Sequence, residues 1–144
     1  KRPTFNLDDV RVPYTEGFVN GAAGKTRNST KGRFSNGTKT TKYTAHPNGA
    51  MPRDVIKIPT LAGGGKERVK GHPTQKPLAL CDTLLKASLN KDSETKVVVP
   101  FAGSGSECVA AKKLGLTYIG FELNPDYIEI CNERLQQVTT PPLT

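Results

Sequence analysis

The sequence predicts an α/β chain: a partial, doubly wound parallel sheet preceded by a basic, loop-rich segment. Three observations carry that prediction. An apolar, β-branched run, "KVVVPF" at residues 96–101, breaks into Gly-x-Gly at Gly103 and Gly105 and continues as a helical stretch. A second β-rich run, "TYIGFEL" at residues 117–123, follows one helix length later and ends beside an acid, Glu122. Helical patterns flank both runs, giving the order helix, strand, helix, strand, helix. Two strands joined by a crossover helix form a right-handed parallel unit.

The first half has a different texture. Residues 1–70 hold 14 Lys or Arg against 5 Asp or Glu, whereas residues 71–144 hold 7 against 8, so the net charge of +8 belongs to the first half. Lys and Arg neutralise phosphates and supply most nonspecific nucleic-acid affinity, which makes a polyanion the expected partner; a solvated basic surface is the alternative. Residues 17–49 show neither a helical nor a strand period and read as loop with short strands. Within them Arg27, Lys31, Arg33, Lys39 and Lys42 alternate with Phe34 and Tyr43. These five cations are the candidate DNA contacts, with a flexible linker as the competing reading. Residues 54–59, "DVIKIP", alternate like a short half-buried strand, and "TLAGGGKERVKG" returns to loop.

The second half is more regular. After "HPTQKP" (residues 72–77), "LALCDTLLKASLN" sets Leu78, Cys81, Leu84, Leu85 and Ser88 on one helical face, with Pro77 at the first helical position and Asn90 as the cap. Residues 96–101 read as a strand buried on both faces. Residues 104–114 read as a helix closed by Gly115. Asn124 caps a last helix, with Pro125 at its first position and Leu123 and Ile128 as a hydrophobic staple. The buried stripe of that helix is expected to run through Tyr127 or Ile128, Cys131 and Leu135.

A chain of 144 residues supports one domain with a modest core. It divides into a basic region, 1–70, and a cofactor-binding α/β region with an incomplete sheet, 71–144. No run approaches the roughly 18 apolar residues of a membrane span. The chain starts at Lys1 and not at Met, so it is expected to be trimmed, processed or a piece of something longer, and no signal-peptide pattern follows. Cys81, Cys108 and Cys131 each fall in a helical stretch and read as core thiols of a reduced, intracellular protein. No Cys or His spacing suggests a metal site.

In a unit of this kind the ligand lies beyond the carboxyl ends of the strands. Gly103 and Gly105 permit a tight turn that a ligand can approach closely. Glu122, 19 residues after Gly103, can accept both hydroxyl hydrogens of a ribose. NAD fits poorly: Cys108 stands where a dinucleotide motif has its third glycine, and the chain ends shortly after Glu122. S-adenosylmethionine fits better, having a ribose and an adenine but no pyrophosphate.

"HPTQKP", "VVVPFAGSGSE" and "YIGFELNPDYIEICNERL" together resemble the C-terminal half of the amino-methyltransferases of DNA, in their permuted β group. These enzymes transfer a methyl group from S-adenosylmethionine to the exocyclic nitrogen of adenine or cytosine. "FNLDDVRVPY" at residues 5–14 is similar to a stretch that follows the catalytic region in type II adenine enzymes of that group. The resemblance implies a Rossmann-like methyltransferase fold acting on double-stranded DNA in the bacterial cytoplasm, in a restriction-modification system of bacterial or phage origin. It implies that Phe101, Ala102, Gly103, Ser104 and Gly105 line the methionine end of the cofactor and that Glu122 holds the ribose, with Asn124 beside it. It places Thr74 and Lys76, with His72 and Gln75, near the cofactor carboxylate. The Thr-Gln-Lys interior tilts the target toward adenine over cytosine.

Two departures stand out. The family usually carries an acid just before Pro-Phe, where this chain has Val99. The catalytic motif, an Asp, Asn or Ser followed by Pro-Pro and an aromatic, is missing; the tail "TPPL" has Leu143 in place of the aromatic. No catalytic residue is assigned for that reason. The acceptor side and the neighbouring strand are expected from a missing N-terminal half or a complementary chain, with a dimer as a further arrangement. Without that neighbour the sheet edge is exposed. The alternative to an enzyme is a degenerate methyltransferase-like DNA-binding module without catalysis.

Overall fold

The computed structural model describes residues 3–33, 36–42, 44–63, 65–90 and 95–139. Leu7–Asp54 form one compact unit, and Lys1–Asn6 with Val55–Thr144 form another.

The Leu7–Asp54 unit is more ordered than its composition suggests. A short 3-10 helix, Leu7–Val10, precedes helix α1, Glu16–Gly21. The Thr15 hydroxyl accepts the Phe18 amide at 3.3 Å and so caps α1. Tyr14 stacks on Phe18 with ring centroids 4.6 Å apart, and its hydroxyl accepts the His46 amide at 2.7 Å. Val12 and Ala50 exchange backbone hydrogen bonds of 3.1 and 2.8 Å. Gly49 is required there: its φ is +103°, and a Cβ would lie 2.6 Å from the Val12 carbonyl oxygen. Strands β1 (Thr26–Asn28) and β2 (Thr40–Lys42) pair antiparallel, with Thr26 opposite Lys42.

The second unit contains the helix–strand–helix–strand–helix order. Helix α2 (Leu78–Ser88) has Pro77 as its N-cap, one position earlier than expected, and Leu89 rather than Asn90 as its C-cap. Pro77 has no side-chain acceptor, so the Glu67 carboxylate receives the Leu78 amide at 2.7 Å. At the other end Asn6 donates through its side chain to the carbonyls of Lys86 and Leu89, at 3.0 and 2.7 Å. Cys81 is buried on α2, but Leu84 and Ser88, expected on the same inner face, are exposed.

Strands β3 (Lys96–Val99) and β4 (Thr117–Gly120) are parallel, with Val97 opposite Tyr118 and Val99 opposite Gly120. The crossover is helix α3 (Ser106–Lys113), whose Ser106, Cys108, Val109, Ala110 and Ala111 are all buried. These small side chains let α3 pack against both strands, α2 and α4 at once. Gly115, at φ +69°, ends α3 in a Schellman motif: Leu116 N–H reaches the Ala111 carbonyl and Gly115 N–H that of Lys112, both at 3.0 Å. Helix α4 (Pro125–Gln136) starts as expected, with the Asn124 side chain accepting the Asp126 amide at 2.9 Å.

The core gathers Val99, Ala102 and Cys108, with Val97, Tyr118 and Leu135 packed on it. Burial of β3 on both faces does not hold: Val98 is 59% exposed and its neighbour Ile119 is 51% exposed. Among the described residues only the helical layer covers the sheet, and it covers the Val97–Val99 face. Residues 54–59 form no strand, and Val55 and Ile56 lie exposed; among the described residues no strand pairs with them. The staple also fails, since Leu123 is 98% exposed and its expected partner Ile128 is exposed too. The stripe on α4 does pass through Cys131 and the half-buried Leu135, while Ile128 is exposed. Phe34, Tyr43 and the tail at 140–144 lie outside the described residues.

Candidate functional site

The turn after β3 is shaped by two glycines in the left-handed region, Gly103 at φ +52° and Gly105 at φ +73°. Both positions exclude a side chain for packing reasons as well. A Cβ on Gly103 would sit 2.6 Å from His72 Nε2, and one on Gly105 would overlap the Cys131 sulfur. The close approach that a third glycine provides in dinucleotide motifs is met differently here. Gly120 on β4 faces Cys108, whose sulfur would lie 2.8 Å from a Cβ at position 120.

Glu122 ties the end of β4 to this turn. Its Oε2 accepts the Gly103 amide at 2.8 Å, while Oε1 accepts the amides of Leu123 and Asn124 at 2.8 and 2.9 Å. The amides of Asn124 and Gly103 hold its carboxyl below the usual carboxylate range. Oε2 takes one hydrogen bond and retains capacity for another donor.

Residues from the "HPTQKP" segment close the other side. His72 is buried, with its ring edge-on to Tyr127 at 4.5 Å between centroids. Burial lowers its pKa despite the nearby Glu122, which favours the neutral ring over the charged one. Its Nδ1 is buried without a hydrogen-bond partner among the described residues. Lys76 Nζ pairs with Glu107 Oε1 at 2.7 Å. A cavity of 340 Å³ lies between these groups, lined by His72, Thr74 and Lys76 on one side and by Phe101, Ala102, Gly103 and Ser104 on the other. Ser106, Glu107, Glu122 and Tyr127 complete it. A larger apolar groove of 860 Å³ runs along β4 and α4 and shares Phe101, Ala102 and Glu122 with the first.

Three residues named from the sequence are placed off the cavity wall. Gln75 is buried with its amide committed to its own loop, accepting Val69 N–H at 2.8 Å and donating to the Glu67 carbonyl at 2.7 Å. Asn124 caps α4. Gly105 is packed beneath the turn against Cys131. Arg134 is a residue the sequence reading did not single out. It is buried, and its Nη1 donates to the Ser104 carbonyl and, at 3.1 Å, to the Ser106 hydroxyl. Ser106 in turn donates to the Lys76 carbonyl at 2.8 Å. One chain of hydrogen bonds therefore runs from α4 through the glycine turn to the Thr-Gln-Lys segment.

The cations of the other unit are arranged around its hairpin. Arg27 lies in β1 and Lys42 in β2, on strands that pair directly; Lys39 precedes β2 and passes its carbonyl to Ser29 N–H at 2.6 Å. Lys31, Arg33, Lys39 and Lys42 are exposed.

A parallel βαβ unit with a glycine turn and a strand-end glutamate beside a cavity is the arrangement of a partial Rossmann-like fold. A family model described as DNA methylase matches residues 1–133, and the chain belongs to that family, the N6/N4 amino-methyltransferases of DNA. It is 34% identical to the type II methyltransferase M1.MboII of Moraxella bovis, over 96% of this chain and 51% of the relative. It is 33% identical to M.ScaI of Streptomyces caespitosus, over 92% of this chain and 38% of the relative. With M.HpaI of Haemophilus parainfluenzae the identity is 33%, over 94% and 34%. This chain thus spans between 34% and 51% of the length of these relatives. The crystal structure of an M1.HpyAVI–SAM complex aligns over 46% of this chain and 32% of its own, with 36% identity and a TM-score of 0.43.

Proposed function

We propose that this chain is the S-adenosylmethionine-binding part of a DNA methyltransferase that modifies the exocyclic amino group of adenine. One observation carries the reading: the Glu122 carboxylate, held ionised at the end of β4, borders the same cavity as Gly103, Thr74 and Lys76. The donor set suits the cofactor. Glu122 Oε2 offers an acceptor to a sugar hydroxyl, and the Thr74 hydroxyl and Lys76 ammonium offer donors to a carboxylate. Exposed Leu123 and Phe101, beside Glu122, offer apolar surface to an adenine ring.

The bound cofactor supplies an electrophilic methyl group on sulfur. The work of this chain is to hold that donor: Glu122 fixes the turn and orients the sugar, Lys76 and Thr74 fix the opposite end, and the neutral His72 ring keeps the turn from collapsing. Transfer to a base further requires acceptors for the amino hydrogens and an extruded base. Both are attributed to a segment bearing the Pro-Pro-aromatic motif, supplied by another part of the same protein or by a partner chain. The exposed cations of the β1–β2 hairpin are the DNA contacts of this reading.

Calorimetric titration with S-adenosylmethionine tests it. Binding that is weakened by Glu122→Ala supports the reading; absence of binding by the unaltered chain overturns it. A second reading, a methyltransferase-like DNA-binding module without catalysis, is favoured by Val99, whose side chain is buried in the core where the family usually has an acid. It predicts duplex DNA binding without donor binding.

A further inference from the structure

Cys108 and Cys131 are nucleophilic side chains that the proposed function leaves unused. Cys108 stands on α3 and Cys131 on α4, helices that pack together, and both border the 860 Å³ groove along β4. Their sulfurs are in hydrogen-bond contact. Each sulfur also fills the space in front of a glycine. A Cβ on Gly105 would overlap the Cys131 sulfur, and one on Gly120 would lie 2.8 Å from the Cys108 sulfur. The pair is therefore wedged between the glycine turn and the end of β4.

The two thiols differ in access and in charge. Cys131 is 8% exposed and Cys108 only 1%, so a small molecule in the groove meets the Cys131 sulfur first. The Cys108 thiol donates to that sulfur and holds the Cys131 pKa below the ordinary thiol value; burial and Glu122 oppose the shift, and the Arg134 guanidinium, one turn along α4, adds to it. The same hydrogen bond and burial push the Cys108 thiol up, so Cys108 keeps its proton. A reachable thiolate with a second thiol in contact is the arrangement of an attacking and a resolving sulfur. Cys81 on α2 is the contrast, with burial pushing its thiol up to about 11.

We propose that Cys108 and Cys131 form a redox modification site whose oxidant is a hydroperoxide. The Cys131 thiolate attacks one peroxide oxygen and the O–O bond breaks. That oxygen stays on sulfur as a sulfenic acid, and the other leaves with a proton as an alcohol or water. The Cys108 sulfur then displaces the sulfenic hydroxyl, which takes the Cys108 proton and leaves as water. Two electrons pass from the sulfurs to the peroxide, and the product is a disulfide between α3 and α4 that a dithiol reduces. Bonding draws the sulfurs to about 2.05 Å, closer than a hydrogen bond holds them, so at least one sulfur withdraws from the glycine it packs against. Oxidation is thereby transmitted to the turn that carries Gly103, whichever ligand that turn takes.

The test treats the whole chain with one equivalent of hydrogen peroxide and maps it by mass spectrometry after digestion without reductant. The expected result is the loss of two hydrogens and of two of the three titratable thiols, with a cross-link between the peptides carrying Cys108 and Cys131, all reversed by dithiothreitol. Hydrogen exchange at the Gly103 and Gly105 amides is expected to be faster in the cross-linked chain than in the reduced one. Cys108→Ser should stop at a sulfenic acid on Cys131, captured by dimedone, and Cys131→Ser should leave Cys108 unoxidised at the same dose. A cross-link through Cys81, oxygen added to the unaltered chain without a cross-link, or no reaction overturns the proposal. Unchanged exchange at both amides overturns the coupling to the turn, and oxidation of Cys108 in Cys131→Ser overturns the choice of attacking sulfur. The map and the exchange measurement use the unaltered chain, so they decide the matter even if a serine variant fails to fold.

Discussion

Glu122 and Gly103, at the ends of neighbouring strands, are joined by a 2.8 Å hydrogen bond from the Gly103 amide to the Glu122 carboxylate. The residue that orients a sugar in the proposed function therefore also builds the turn beside it. Its amide partners depress its pKa below the ordinary value of 4.5. A carboxylate depressed in the folded state contributes stability that is fully present above the unfolded value and lost as pH falls through the folded one. Acid unfolding of Glu122→Gln should accordingly show a shallower loss below pH 4.5 than the parent chain. An unchanged acid limb, followed by circular dichroism, would mean that these hydrogen bonds do not discriminate between the ionised and neutral forms.

His72 titrates in the opposite sense. Burial lowers its pKa below 6.5, so the unfolded chain binds a proton that the folded chain refuses. Stability is expected to decline as pH falls from 6.5 toward the lower folded value, and His72→Gln should remove that component. Urea midpoints measured across this interval check it.

Gly120 and Cys108 form a matched pair. Gly120→Ala drives a methyl group against the Cys108 sulfur and should cost about 1–3 kcal/mol, the usual range for overpacking. Combining it with Cys108→Ala should recover part of that loss, and a double-mutant cycle measures the coupling. Purely additive effects would show that the two side chains do not share the space.

Arg134→Met removes the donor to the Ser104 carbonyl and the Ser106 hydroxyl. Hydrogen bonds to a charged group set the expected cost at about 1.5–3 kcal/mol. Because the same contacts shape the turn, donor affinity should fall in variants that are still folded at the assay temperature. Arg134→Met with unaltered affinity for S-adenosylmethionine would confine Arg134 to stability.

Lys31, Lys39 and Lys42 are expected to contact phosphates. Each exchange for Gln should weaken binding to duplex DNA regardless of sequence and reduce the slope of log affinity against log salt by about one. Fluorescence anisotropy over a salt series reads both quantities. A slope that ignores all three substitutions would move the DNA contact elsewhere.

Much of the βαβ unit was legible because its signals are local. A strand followed by Gly-x-Gly, an Asn-Pro at a helix start and a Gly after a helix end each state a backbone requirement that one residue type meets, and Gly103, Asn124 and Gly115 do meet them. Burial was legible only in part. Hydrophobic periodicity marks a face as apolar but does not supply the element that covers it, so Val98, Leu84 and Leu123 lie open. Residues 54–59 alternate like a strand, but among the described residues there is no ladder for them to join. Arg134 escaped notice because a charged residue beside Cys131 and Leu135 reads as a polar flank until the Ser104 carbonyl and Ser106 hydroxyl are seen beneath it. Helix α1 is six residues long, too short to declare a period in a segment rich in Gly and Asn.

The interior of α3 is built from Ser, Cys, Val and Ala, and it touches both strands and two helices. Such a rod leaves evolution little latitude: its inward positions can drift among side chains of nearly equal bulk, whereas the outward, exposed Lys113 is free to vary widely. A saturation-mutagenesis map should show this helix as a stripe of intolerance, with tolerance at Cys108, Val109, Ala110 and Ala111 graded by volume more than by polarity and Ser106 requiring its hydroxyl.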